Sequence, residues 1–103
     1  MHEDSVLFYW RPGCPFCVSL RRGLTRRGIP FEAINIWENP EAAARVRAAA
    51  GGNETVPTVV VGEQALVNPS VAQVLSLIEA EAPQLAATLA SEQAPRRRKW
   101  FGL

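Results

Sequence analysis

A short apolar run, Val6 to Trp10, meets a Pro12-Gly13 break and then Cys14-Pro15, and this junction constrains the chain more than any other segment. The run lacks polar alternation, the pattern of a strand covered on both faces rather than one. Pro12 and Gly13 end it. Pro15 then suits the first position of a helix, where its missing N–H would have had no partner. A doubly covered strand that turns straight into a helix calls for layers on both sides of a sheet.

The remaining pattern supplies those layers. Cys17, Leu20 and Leu24 form a buried stripe on the first helix; Arg21, Arg22, Arg26 and Arg27 lie off it as a solvated face, and Gly28 caps it. Phe31 to Ile36 alternates as a half-exposed strand, and Pro40 to Ala50 reads as an Ala-rich helix closed by Gly51 and Gly52. Thr58 to Val61 and Ala65 to Val67 read as strands joined by a tight turn containing Gly62. Ser70 caps a helix with Val71, Val74, Leu75 and Ile78 at i, i+3, i+4 and i+7. The order is βαβαββα, with the first two strands parallel and the last two an antiparallel hairpin. The expected class is α/β: a thioredoxin-like fold with a four-stranded mixed sheet and helices on both faces. At 103 residues there is one core, assigned to residues 1–94; Gln84 to Ala94 adds a turn or two of helix, and 95–103 reads as a flexible basic tail.

Charge narrows the function. The formal net charge is +1, but Arg96, Arg97, Arg98 and Lys99 are concentrated in the tail; residues 1–95 hold seven basic and ten acidic residues, a net of −3. That balance indicates neither nucleic acid nor membrane as a partner. No apolar run approaches the ~20 residues that a bilayer requires. Only Met1 to Asp4 precede the first strand, too few for a signal peptide, which points to the cytoplasm. Structural disulfides are rare there, and two close cysteines are catalytic or metal-binding.

Cys14-Pro15-Phe16-Cys17 carries the chemistry. A C-x-x-C at a helix start places the first sulfur among unsatisfied N–H groups and the positive end of the helix dipole, which favour thiolate over thiol. Cys14 is thus the expected exposed nucleophile. Cys17, one turn further in on the buried stripe, is the resolving thiol. Two other readings stay open: half of a zinc site, which lacks ligands because the sole histidine is the terminal His2, and a pair of incidental buried cysteines.

The segment Cys14-Pro15-Phe16-Cys17 resembles the Cys-Pro-Tyr-Cys site of dithiol glutaredoxins, and Thr55-Val56-Pro57 resembles the Thr-Val-Pro motif of that family. The resemblance runs from about Ser5 to Ala80. It implies a cis Val56–Pro57 bond facing the active cysteine, Val56 backbone groups that pair with the cysteinyl part of a bound thiol, and a thiol-binding role for Thr55. Arg11 matches a position where glutaredoxins often carry Lys or Arg, and Phe16, with Trp10, could form an apolar collar. Glutaredoxins that bind glutathione usually follow the hairpin with Gly-Gly and then Ser/Thr-Asp, groups that hold the glutamyl carboxylate. Here the stretch is Val67-Asn68-Pro69-Ser70. With Gly51-Gly52-Asn53 and Thr55 to Thr58, it is similar to the mycoredoxin branch, which serves mycothiol, a thiol without carboxylates. Asn68 and Ser70 would then meet the part of the ligand where the two thiols differ. Pro15-Phe16 departs from the Cys-Gly-Tyr-Cys of those relatives.

The function this implies is a monomeric thiol–disulfide oxidoreductase that reduces protein–small-thiol mixed disulfides. It has no bound cofactor; mycothiol or another low-molecular-weight thiol is its co-substrate, and a flavoprotein disulfide reductase recharges it indirectly. A second reading is a dithiol electron carrier, for example for ribonucleotide reductase, recharged by thioredoxin reductase. A third is a metal or iron–sulfur carrier between two chains, against which Pro15 counts because it stiffens the turn and removes an N–H. Trp37 reads as core or rim.

Overall fold

The computed structural model describes residues 5–90. The elements follow the expected order: β1 (Val6–Trp10), α1 (Pro15–Arg26), β2 (Glu32–Asn35), α2 (Pro40–Ala49), β3 (Thr58–Val61), β4 (Gln64–Val67) and α3 (Val71–Glu81). A further helix, α4, covers residues 83–90 and so begins one residue before the expected start. The tail 95–103, with Ser91 to Ala94 and His2, lies outside the described residues. Among those described, no helix is long and apolar enough to cross a membrane.

The sheet order is β2-β1-β3-β4, with β1 parallel to β2 and antiparallel to β3, and β3 antiparallel to β4. β1 is therefore central, and Val6, Phe8 and Tyr9 are buried. β3, Thr-Val-Val-Val, is buried at all four positions, whereas edge strand β2 is mostly half-buried and edge strand β4 mostly exposed. Alternation along β1 assigns the faces. Phe8 sides with Cys17 and Arg21 of α1, while Tyr9 sides with Arg45 of α2, and burial foremost pushes the Tyr9 phenol above its ordinary value. α3 packs against α1 on the first face, so the helices lie on both sides. The fold is thioredoxin-like.

Local chemistry sets the helix ends. At the end of α1, Ile29 N–H donates to Leu24 C=O (3.0 Å) and Gly28 N–H to Thr25 C=O (3.0 Å), with Gly28 at φ 71°. This paired closure needs a left-handed residue, which glycine adopts without a Cβ clash. It also tucks Ile29 and Leu24 into the core. α2 starts where Asn39 Oδ1 accepts from Ala42 N–H (3.0 Å), and it buries only Ala42, Ala43 and Val46.

One packing contact leaves no trace in the apolar stripe. Gly23 is buried on α1 beside Leu20 and Leu24, and a Cβ there would lie 2.6 Å from Val71 Cγ2 of α3. Valine has a stiff χ1, so its methyl has little room to yield. The two helices cross closely because position 23 has no side chain. Gly23→Ala should therefore lower stability by ~1–3 kcal/mol through overpacking, although alanine is the better helix former. Denaturant unfolding checks this, and Gly23→Ala combined with Val71→Ala should recover most of the loss.

Candidate active site

The site forms where β1 hands the chain to α1. Gly13 takes φ 73°, a left-handed conformation that turns the chain after Pro12. Cys14 follows in extended conformation as the N-cap residue, and α1 begins at Pro15. The usual cap is an oxygen that accepts from the first turn. Here Cys14 Sγ takes that place, accepting from Cys17 N–H at 3.1 Å. Val18 N–H then donates to Cys14 C=O (3.2 Å) as the first helical bond.

Cys14 and Cys17 are joined as a disulfide, with Cα atoms 5.2 Å apart. This corrects one expectation. The sequence pattern has Cys14 exposed and Cys17 shielded, yet in the disulfide form their relative exposures are 6% and 3%. In this form exposure does not separate the two. Position does: Cys14 is the cap, whereas Cys17 is inside the helix.

The loop before β3 closes over this pair. The Val56–Pro57 bond is cis, as the resemblance implied. Val56 C=O stands 3.8 Å from Cys14 Sγ, a contact rather than a hydrogen bond because a disulfide sulfur bears no proton. The β3 ladder begins at Thr58, so Val56 lies outside it. Thr58 Oγ1 donates to Thr55 C=O (2.8 Å), which ties down the turn. Asn68 N–H donates to Pro57 C=O (2.7 Å), with Asn68 exposed at φ 51°. Asn68 thus borders the cis-proline loop. Ser70 is engaged in a capping box: its Oγ accepts from Gln73 N–H (3.1 Å), and its own N–H donates to Gln73 Oε1 (2.8 Å).

A cavity of about 90 Å³ opens beside the disulfide, lined by Phe8, Trp10, Arg11, Cys14, Cys17 and Arg21 among others. Arg11 and Trp10 are both half-buried. Phe16 is not part of this lining and stands 66% exposed next to the bridge. Trp37 is exposed, at 64%, rather than in the core. Hydropathy assigns Arg21 to a solvated face. It is exposed, but its guanidinium stacks over the rings of Trp10 (5.7 Å) and Phe31 (5.9 Å). The usable signal was spacing: Cys14, Cys17 and Arg21 fall at i, i+3 and i+7 on one helix face.

A bridged pair at a helix start can exchange two electrons with thiols, and the comparisons agree. The glutaredoxin family model matches residues 6–66. The chain belongs to the glutaredoxin family. It is 35% identical over 75 residues to a Mycobacterium tuberculosis protein named as a glutaredoxin, covering 72% of this chain and 89% of that one. It is 35% identical over 78 residues to mycoredoxin 1 of Corynebacterium glutamicum, covering 75% and 96%. In three dimensions it is similar to the glutaredoxin-like NrdH-redoxin of Escherichia coli, with TM-score 0.54, 33% identity and coverage of 61% and 80%. Within the family this glutaredoxin is mycoredoxin-like, and it is a thiol–disulfide oxidoreductase whose Cys14 and Cys17 form a disulfide.

The cap bond carries an expected outcome. An N–H aimed at Cys14 Sγ, together with the helix dipole, stabilises negative charge on that sulfur. Reduced Cys14 should therefore titrate below the ordinary free-cysteine value. Thiolate absorbance against pH in the Cys17→Ser variant reports this, and an ordinary titration would show that the cap does not act on the thiolate.

Proposed function

We propose that this glutaredoxin reduces mixed disulfides between proteins and mycothiol through Cys14, with Cys17 as the resolving thiol. The observation that supports this reading best is the start of α3, where a capping box uses part of the first turn's donors. Both the Ser70 N–H and the Gln73 N–H are used inside the capping box. Val67-Asn68-Pro69-Ser70 has no Gly-Gly pair whose backbone N–H groups could receive a carboxylate, and Pro69 has no N–H to offer. A thiol with hydroxyls and amides but no carboxylate suits such a rim, and Asn68 offers both an amide donor and an acceptor there.

In the reaction, the Cys14 thiolate attacks the small-thiol sulfur of the mixed disulfide. The protein sulfur leaves as thiolate and takes a proton. Cys14 then holds the small thiol as its own mixed disulfide. A second small-thiol thiolate attacks the bound small-thiol sulfur and frees Cys14, or Cys17 attacks Cys14 Sγ, closes the bridge and releases the small thiol. The Val56 backbone, outside the ladder and beside Cys14, would pair with the cysteinyl backbone of the ligand. Arg11, Phe16, Thr55 and Pro57 would frame the same group.

The likeness to NrdH-redoxin, a glutaredoxin-like protein with a thioredoxin-like activity profile, favours a second reading: a dithiol carrier recharged by thioredoxin reductase. A coupled assay separates the two. Mycothiol with its reductase should support turnover about tenfold or more above glutathione with its own reductase, because a charge-assisted hydrogen bond to a carboxylate is worth ~1.5–3 kcal/mol and is missing here. Efficient reduction by thioredoxin reductase with no response to mycothiol would move the assignment to the second reading. In the mycothiol assay Cys14→Ser should fall to background, while Cys17→Ser keeps turnover through the monothiol route; an active Cys14→Ser variant would reverse the roles.

A further inference from the structure

The side of the disulfide away from Val56 holds a charge that the exchange chemistry described above leaves unused. Arg21 is four residues beyond Cys17 on α1, so the two share a face about 6 Å apart along the axis. The Cys14 sulfur lies in the same cavity, bonded to that of Cys17, but its thiolate already has the Cys17 N–H and the helix start to stabilise it, and so depends less on Arg21. Among the described residues Arg21 has no ion-pair partner. Two aromatic rings hold its guanidinium instead, Trp10 at the end of β1 and Phe31 just before β2. Stacking on rings fixes a planar cation without cancelling its charge.

The surroundings leave that charge little competition. The cavity that Arg21 lines also contains both cysteines. β1 contributes only Phe8 and Trp10, and Tyr9 points to the other face with Arg45. α3 meets α1 through the apolar Val71. The turn before α1 contributes Arg11, whose Nη1 donates to Pro12 C=O (3.4 Å). Among the described residues no Asp or Glu lines the cavity.

We propose that Arg21, held by Trp10 and Phe31, is a positioning residue for the resolving step, favouring Cys17 as thiolate when it attacks the mixed disulfide on Cys14. The need is physical. Cys17 is buried, and burial disfavours a charged sulfur. Once Cys14 is in a mixed disulfide, it no longer presents a thiolate. Cys17 Sγ must lose its proton to solvent, bond to Cys14 Sγ and displace the partner sulfur, which leaves with the electron pair and is protonated. Arg21 is the nearest fixed cation on its own helix face. The inference rests on the two-cysteine route and is independent of which small thiol the protein uses.

A neutral chromogenic disulfide, 4,4′-dithiodipyridine, tests it without charge on the probe. Reduced full-length protein mixed in excess with the probe releases thiopyridone twice. The first phase depends on protein concentration and reports attack by Cys14; the second does not, and it reports attack by Cys17. Arg21→Gln should slow the second phase at neutral pH by ~3–10-fold, the effect of a partly screened charge on a thiolate, and move its pH midpoint upward. The first phase should slow by a smaller factor. Arg21→Lys keeps the charge but loses the planar stack, and should fall between wild type and Arg21→Gln. A second phase with unchanged rate and midpoint, or equal slowing of both phases with no shift in midpoint, would overturn the proposal and leave Arg21 a structural stack.

Discussion

The hydrogen bond from Cys17 N–H to Cys14 Sγ is the contact on which the rest of this structure turns. It uses a sulfur where a helix normally takes an oxygen, so starting α1 and preparing the redox centre are one event. The bond needs Cys14 extended and Pro15 helical, and both follow from the left-handed turn at Gly13. That turn is positioned by β1, which is immobilised between β2 and β3. The chemistry is thus anchored to an interior strand of the sheet rather than on a free loop.

The opposite wall comes from a different stretch of chain. The Val56–Pro57 loop reaches Cys14 because β3 pairs with β1 in a register that starts at Thr58. Asn68 then ties the end of β4 to Pro57. In the proposed reaction, a thiol entering between α1 and this loop would meet backbone groups left out of the ladder, and the part of the ligand beyond its cysteinyl group would fall toward Asn68 and the capped start of α3.

The closeness of α1 and α3 has the same origin. Gly23 admits Val71, which brings the start of α3 under the redox helix. A bulkier residue would push apart the helix that carries Cys17 and the helix that bears Ser70.

Much was legible in the residues. The central strand, the Pro-Gly break, the C-x-x-C at a helix start, the Gly28 and Gly51-Gly52 closures and the Ser70 cap are local devices, set by side chains within a few positions of one another. For that reason α1, α2 and α3 appear within a residue or so of where the pattern places them. The cis Val56–Pro57 bond was legible only through resemblance, because composition gives no preference for it. Three features required the tertiary structure. Buried Cys14 is covered in part by the Val56 carbonyl, 42 positions away in the chain. The closeness of Gly23 to Val71 depends on a helix crossing. The stack of Arg21 on Trp10 and Phe31 joins three elements, so hydropathy alone places that arginine in water. Short-range rules determined what each segment is; only packing between distant segments decided which side chains surround the two sulfurs.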